Sequence, residues 1–158
     1  MKKLLGIILL SMMIGCTNLS SDYEKISFVQ KISENYIIDL RIPKFKLERV
    51  TFAPYSADLS KTYYKELDNF IVNFKKYCSS TEILLTGYID SKEKEMGFDN
   101  LGKQRAMMIK NYMMEQGIPE KLIIISDLGG VDYPFSNDTP IGKAKNRSVK
   151  IDAIREKY

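Results

Sequence analysis

Asp90 and Arg105 are the two side chains in this sequence best suited to hold a small charged ligand. Asp90 closes the apolar run ILLTGYID just after a turn that begins at Gly87, and Arg105 falls early in the helical pattern that follows. Fifteen positions separate them, a span that can fold back and bring both to one end of a sheet. An acid placed there pairs with an ammonium. An arginine fork and the free N–H groups of a helix start pair with a carboxylate, so the combination makes a receptor for a small zwitterion. The same residues equally suit a structural ion pair with each other, and the bare chemistry leaves both readings open. Arg147, beside Asn146, either reaches the same end through the loop before the last strand or braces the fold on a loop carbonyl.

Other chemistries find little support. The chain has no histidine, which removes the usual general base, the commonest zinc ligand and the usual pH switch. Asp127 and Asp132 flank Gly129 and Gly130 as a cation loop might, but two acids without a regular series of oxygen ligands read as a solvated loop. The run SKEKE at 91–95 reads likewise as a charged loop. No metal and no cofactor is expected. Of the 24 basic side chains two, Lys2 and Lys3, lie at the extreme N-terminus, and the remainder nearly balances the 20 acids. That distribution lacks the concentrated basic footprint of a nucleic-acid binder.

The first fifteen residues stand apart. Lys2 and Lys3 begin a stretch that is apolar from Leu4 to Gly15 except for Ser11, too short to span a bilayer and shaped like an export signal. Gly15 precedes Cys16, and the stretch MMIGC resembles a lipobox, in which the thiol is acylated before cleavage. Met13 and Ile14 depart from the usual leucine and small residue of that pattern. A plain secretory signal or an uncleaved anchor is the alternative. The expectation is a signal over 1–15, a lipidated N-terminus and spacer over 16–48, and one domain over 49–158, a size that supports a real core. With Cys16 taken by lipid, Cys78 has no disulfide partner and reads as a small buried hydrophobe.

The elements that must position the charged residues follow from periodicity. Tyr36, Ile37, Ile38, Leu40 and Ile42 can make a strand within the spacer, ended by Pro43. Val50 to Phe52 suggest a short strand, and Asp58 or Ser60 can cap a helix reaching about Tyr77. Leu67, Phe70, Ile71, Phe74 and Cys78 line one face of that helix. Ile83 to Leu85 form a strand, and Ser91–Asn100 reads as a polar loop. A second helix over about 102–116 turns Ala106, Ile109, Tyr112 and Met113 inward, stops at Gly117, and carries Met107, Met108 and Met114 as packing residues. Leu122 to Ile125 form a strand, a short turn or helix lies around Pro140 and Gly142, and Val149, Ile151 and Ile154 mark the last strand. The order β-α-β-α-β-(short α)-β predicts an α+β fold of two layers, a mixed sheet with two main helices on one face.

Five segments in this order resemble the OmpA-like C-terminal domain family. VTFAPYSADL carries the family's order at Val50, Phe52, Ser56 and Leu59. TGYIDS keeps its glycine and aspartate at Gly87 and Asp90, and LGKQRA keeps Leu101, Arg105 and Ala106. GIPEKLI matches the helix-to-strand connection, and PFSNDTPIGKAKNRSVKI matches the closing segment through Pro134, Asn137, Gly142, Asn146, Arg147 and Val149. With its lipobox-like start the chain is similar to the lipoproteins of that family. The resemblance implies peptidoglycan binding, with Asp90 receiving the side-chain ammonium of a diaminopimelate residue in the stem peptide and Arg105 its carboxylate. Tyr88, Asn100, Asn146 and Arg147 are candidate supporting positions.

The chain departs from the family at several of these places. Tyr88 and Ile89 stand where the family has histidine and threonine, Phe98 where it has asparagine, and Gly102 where it has a helix-capping serine. Asp127 replaces a glycine and Ser148 a second arginine. Such losses of polar contacts weaken binding or favour a different diamine, such as ornithine or lysine. The resemblance thus implies a non-enzymatic lipoprotein, held by palmitate-type acyl chains on the periplasmic side of the outer membrane, that tethers the membrane to the wall. Tol-type envelope proteins are the implied protein partners. The alternatives are an envelope protein–protein interaction module whose wall site has changed, and a wall hydrolase.

Overall fold

The computed structural model describes residue 34 and residues 36–38, 47–77, 81–128 and 130–156. Cys16, Cys78, Pro43 and the expected signal over 1–15 lie outside them. In chain order the elements are β1 (Tyr36–Ile38), β2 (Arg49–Thr51), α1 (Tyr64–Tyr77), β3 (Glu82–Gly87), α2 (Ser91–Glu95), α3 (Leu101–Glu115), β4 (Ile123–Asp127), α4 (Pro140–Asn146) and β5 (Ser148–Glu156). Single 3-10 turns, Lys61–Tyr63 and Glu120–Leu122, lead into α1 and β4.

The sheet is mixed. β3 pairs in parallel with β4 and antiparallel with β5, and β5 continues antiparallel to both β1 and β2 along its other edge. Tyr36 lies opposite Glu156, while Val50 lies opposite Val149, so β1 and β2 share the two ends of one long strand. Of the strand expected from Tyr36 to Ile42, Tyr36–Ile38 is thus part of the sheet while Leu40 and Ile42 lie outside the described residues, and Leu47 is buried in the core.

Period-two alternation sends Ile83, Leu85, Val149 and Ile151 to one face, where Leu67, Phe70, Ile71 and Phe74 of α1 and Ala106, Ile109 and Met113 of α3 meet them. Each of these buried side chains, the smaller Ala106 apart, contributes about 1.5–3 kcal/mol by leaving water. The two main helices on one face of a mixed sheet make the two-layer α+β fold that the periodicity predicts. Ser60, not Asp58, caps the entrance to α1, its side chain accepting from the Thr62 N–H. Gly117 ends α3 with φ of 84°, in the left-handed region that glycine enters freely.

Two expectations need correction. The segment 91–100 is not all loop, because its first half is α2. Asp90 caps that helix: its carboxylate accepts from the Glu93 N–H, and the Glu93 carboxylate accepts in turn from the Asp90 N–H. Met107 and Met108 are also not packed inside. They point to solvent on the outer side of α3, 40% and 39% exposed, because the inward stripe runs through residues 106, 109 and 113.

Candidate functional site

The C-terminal end of β3 and the first turns of α3 meet unusually closely. A Cβ on Gly87 would lie 2.1 Å from the carbonyl oxygen of Gly102, and one on Gly102 would lie 2.8 Å from an Asp127 carboxylate oxygen. Glycine at both positions lets the helix start against the strand backbone. The departures at 102 and 127 are therefore one feature: the Asp127 carboxylate lies where a side chain at 102 would begin. This approach carries Arg105 beneath the strand end.

Arg105 is fully buried, and all five of its N–H groups are used. Nε donates to the Ser56 carbonyl at 2.9 Å. Nη1 donates to the Tyr88 carbonyl at 3.1 Å and to Glu93 Oε2 at 2.9 Å. Nη2 donates to the Ala53 carbonyl at 3.3 Å and to Glu93 Oε1 at 2.6 Å. The guanidinium also lies 5.4 Å from the centre of the Phe52 ring. Glu93 is equally buried, so the two form a bidentate ion pair out of contact with water.

Two backbone donors complete the seat of the Glu93 carboxylate. The Tyr55 N–H donates to Oε1 at 2.9 Å and the Asp90 N–H to Oε2 at 3.2 Å. Tyr55 has φ of 57°, a left-handed conformation uncommon for a residue other than glycine, and its N–H is held there by Glu93. Four donors converge on one carboxylate, two on each oxygen.

Asp90 stands beside this buried pair, nearer to solvent through its partner. Oδ1 accepts from the Glu93 N–H at 2.9 Å, and Oδ2 accepts from Arg147 Nη1 at 2.7 Å. The Arg147 side chain is 14% exposed against 4% for Asp90, which makes Arg147 the rim of the site. Arg147 also donates from Nε to the Phe52 carbonyl at 3.4 Å, so the two roles foreseen for it coexist. Asp90 and Arg105 do not pair with each other; each has an oppositely charged neighbour of its own. Tyr133 is half-buried, with Asp90, Glu95, Asp99 and Lys94 close enough to act on its phenol. Burial is the largest reason that phenol is raised above its ordinary range.

The remaining expected residues serve other ends. The Tyr88 ring is buried on the far side of the strand, 5.0 Å from the Arg49 guanidinium, and burial raises its phenol against the opposing charge of Arg49. Its contribution to the site is the backbone carbonyl that receives Arg105. Arg49 also bonds Ser148 Oγ at 2.8 Å and lies over Phe135, filling space beside the position where the family resemblance implies a second arginine. Asn146 is buried and clamps Phe135 by both its backbone N–H and carbonyl. Through Asn137, which also accepts from the Ser91 N–H, it fastens the 135–137 loop to the start of α2. Asn100 is exposed at the N-cap position of α3 and makes no capping bond.

Glu93 and Tyr55 escaped the sequence reading. A capping-box spacing, Asp90-Ser91-Lys92-Glu93, was the available signal for Glu93. Nothing in the sequence marks Tyr55, whose part is played by its backbone. Among the described residues no group of three or more histidine, cysteine, aspartate or glutamate side chains comes together as a metal site.

The comparisons with known proteins agree with this architecture. The chain is 32% identical over 102 residues to the peptidoglycan-binding protein ArfA of Mycobacterium tuberculosis, covering 65% of this chain and 31% of that protein. It is also 32% identical over 102 residues to the probable lipoprotein YiaD of Escherichia coli, covering 65% of this chain and 46% of YiaD. The chain thus spans less than half the length of these curated relatives. In structure it superimposes with a TM-score of 0.62 on the peptidoglycan-associated lipoprotein of Burkholderia pseudomallei. That match has 19% identity and covers 67% of this chain and 89% of the other. Residues 51–147 match the OmpA family, a stretch that runs from the end of β2 to the arginine paired with Asp90, and the chain belongs to that family.

Proposed function

We propose that this protein is an envelope lipoprotein that binds the stem peptide of peptidoglycan non-covalently. The observation that carries the reading is the constellation at the end of β3. There a nearly buried Asp90, ion-paired with a rim arginine, sits over the Arg105–Glu93 pair inside a family match that spans the whole site. Asp90 receives an ammonium of the stem peptide; Arg105, through its seat on Tyr88, Ser56 and Ala53, holds that end of the domain in shape and fixes the Glu93 carboxylate beside Asp90. The site is a binding module and not a catalytic one: its two carboxylates are engaged in a capping box and ion pairs.

Acyl chains on Cys16 anchor the other end, in the outer membrane on its periplasmic side. The chain then joins two layers through a reversible contact, and many copies on many wall sites supply avidity even where one contact is weak. Tol-type envelope proteins are the partners this arrangement would meet. Co-sedimentation with purified peptidoglycan tests the wall half, using the protein and its Asp90→Ala variant with folding checked by circular dichroism. The proposal requires the unmodified protein to pellet with the wall and the variant to stay in solution.

A second reading has one observation in its favour. Tyr55, Met96 and Phe98 are exposed around the site, with the Tyr55 and Phe98 rings 5.4 Å apart, and such apolar groups also suit contact with another envelope protein. A folded protein that fails to pellet with the wall would favour it.

A further inference from the structure

The four donors around Glu93 form a complete carboxylate receptor that the chain fills with its own side chain. Arg105 supplies its fork to both oxygens, and the Tyr55 and Asp90 N–H groups supply one further bond to each. Glu93 is 0% exposed in this seat. A ligand carboxylate can take the place only by expelling Glu93, which breaks the capping box of α2 and leaves an acid without its partner beside Asp90. Nor can Arg105 turn towards a ligand, because its other three N–H groups are fixed on the carbonyls of Ser56, Tyr88 and Ala53.

An ammonium meets no such obstacle. Each Asp90 oxygen accepts one described hydrogen bond, and a carboxylate has about four acceptor sites in all. Its other partner, Arg147, stands at the rim and bonds Oδ2 alone, which leaves acceptor sites on both oxygens for an arriving ammonium. Beside the seat, the Tyr55 and Phe98 rings present apolar faces and not amide donors, a surface suited to a methylene chain.

We infer that the site selects a diamino acid whose side chain ends in an ammonium and carries no carboxylate, as in ornithine or lysine, and that Glu93 determines this preference by standing where the distal carboxylate of diaminopimelate would bind. The inference rests on the stem-peptide reading above and sharpens it.

The test uses the full-length protein in detergent, titrated calorimetrically with soluble muropeptides that differ only in the diamino acid: ornithine, lysine or meso-diaminopimelate. The ornithine or lysine peptide is expected to bind at least about tenfold more tightly than the diaminopimelate peptide. Equal or tighter binding of the diaminopimelate peptide overturns the inference while leaving wall binding intact. Failure of all three to bind overturns the wall-binding reading and this inference together. Glu93→Ala then separates selection from mere support of the fold: an emptied seat reverses the order of preference, whereas a purely structural glutamate would weaken all three peptides alike. The same variant, if folded, should gain thermal stability from added acetate that the unmodified protein does not. Should it not fold, the ranking by the unmodified protein decides the matter alone.

Discussion

Replacing Arg105 with methionine probes the buried ion pair on which the site is built. Methionine keeps much of the stem's volume but removes five donated hydrogen bonds and leaves the Glu93 carboxylate in a dry seat with only the Tyr55 and Asp90 N–H groups. Stranding one member of a buried pair costs about 3–5 kcal/mol. With a urea m-value of about 2 kcal/mol/M for a domain of this size, the unfolding midpoint should fall by roughly 2 M. The protein has no tryptophan, so far-ultraviolet circular dichroism is the suitable probe. The pair Arg105→Met with Glu93→Leu removes both charges and should recover about half of the loss, since the stranded acid is gone although the Ser56 and Tyr88 carbonyls lose their Arg105 donor and Ala53 keeps only the Ser56 N–H. A loss below about 1 kcal/mol in the single variant would place the pair with exposed salt bridges and refute the buried geometry.

Three further outcomes follow from separate parts of the molecule. Gly87→Ala forces a methyl group onto the Gly102 carbonyl, so α3 must lift from β3; a stability loss of about 2–3 kcal/mol in thermal or urea unfolding is expected. The Tyr112 hydroxyl donates to Asp68 at 2.5 Å, and chiefly this bond pushes its phenol up to about 12 from 10.0. Because the folded state holds that proton more tightly, the bond's stabilisation is complete below about pH 10 and is lost as pH rises through about 12. Ultraviolet titration should find, besides Tyr88 and Tyr133 whose phenols burial raises, a late-ionising tyrosine that returns to the ordinary range in Asp68→Ala. Cys16→Ala should move the protein out of the membrane fraction, and persistence there would point to an uncleaved anchor instead of lipid.

The parts of the fold visible in the sequence are those governed by local periodicity. Leu67, Phe70, Ile71 and Phe74 mark one face of α1, and Ile83 with Leu85 mark one face of β3, before any tertiary contact is known. Asp90 and Arg105 were legible as neighbours at one end of the sheet, though not with the partners they have. Their partners were not, because those depend on how the chain folds back. Glu93 sits within a run of charges that looks solvated, and only the arrival of Arg105 from α3 makes its burial favourable. Phe98 and Gly102 looked like simple losses relative to the family. In the fold, Phe98 meets Tyr55 to form an apolar rim, and Gly102 makes room for Asp127. Asn146 was foreseen beside a ligand but clamps Phe135, eleven positions earlier, a role set by α4 folding back on the loop before it.

Amide chemical shifts tracked during titration of isotopically labelled protein with a soluble muropeptide would test the wall-binding site most directly. Binding at the end of β3 should move the Tyr55, Asp90, Ser91 and Glu93 amides together, and the Asp90→Asn variant, which retains a competent helix cap, should abolish those shifts. Shifts confined to another face of the domain, or unchanged in Asp90→Asn, would contradict the assignment of the site.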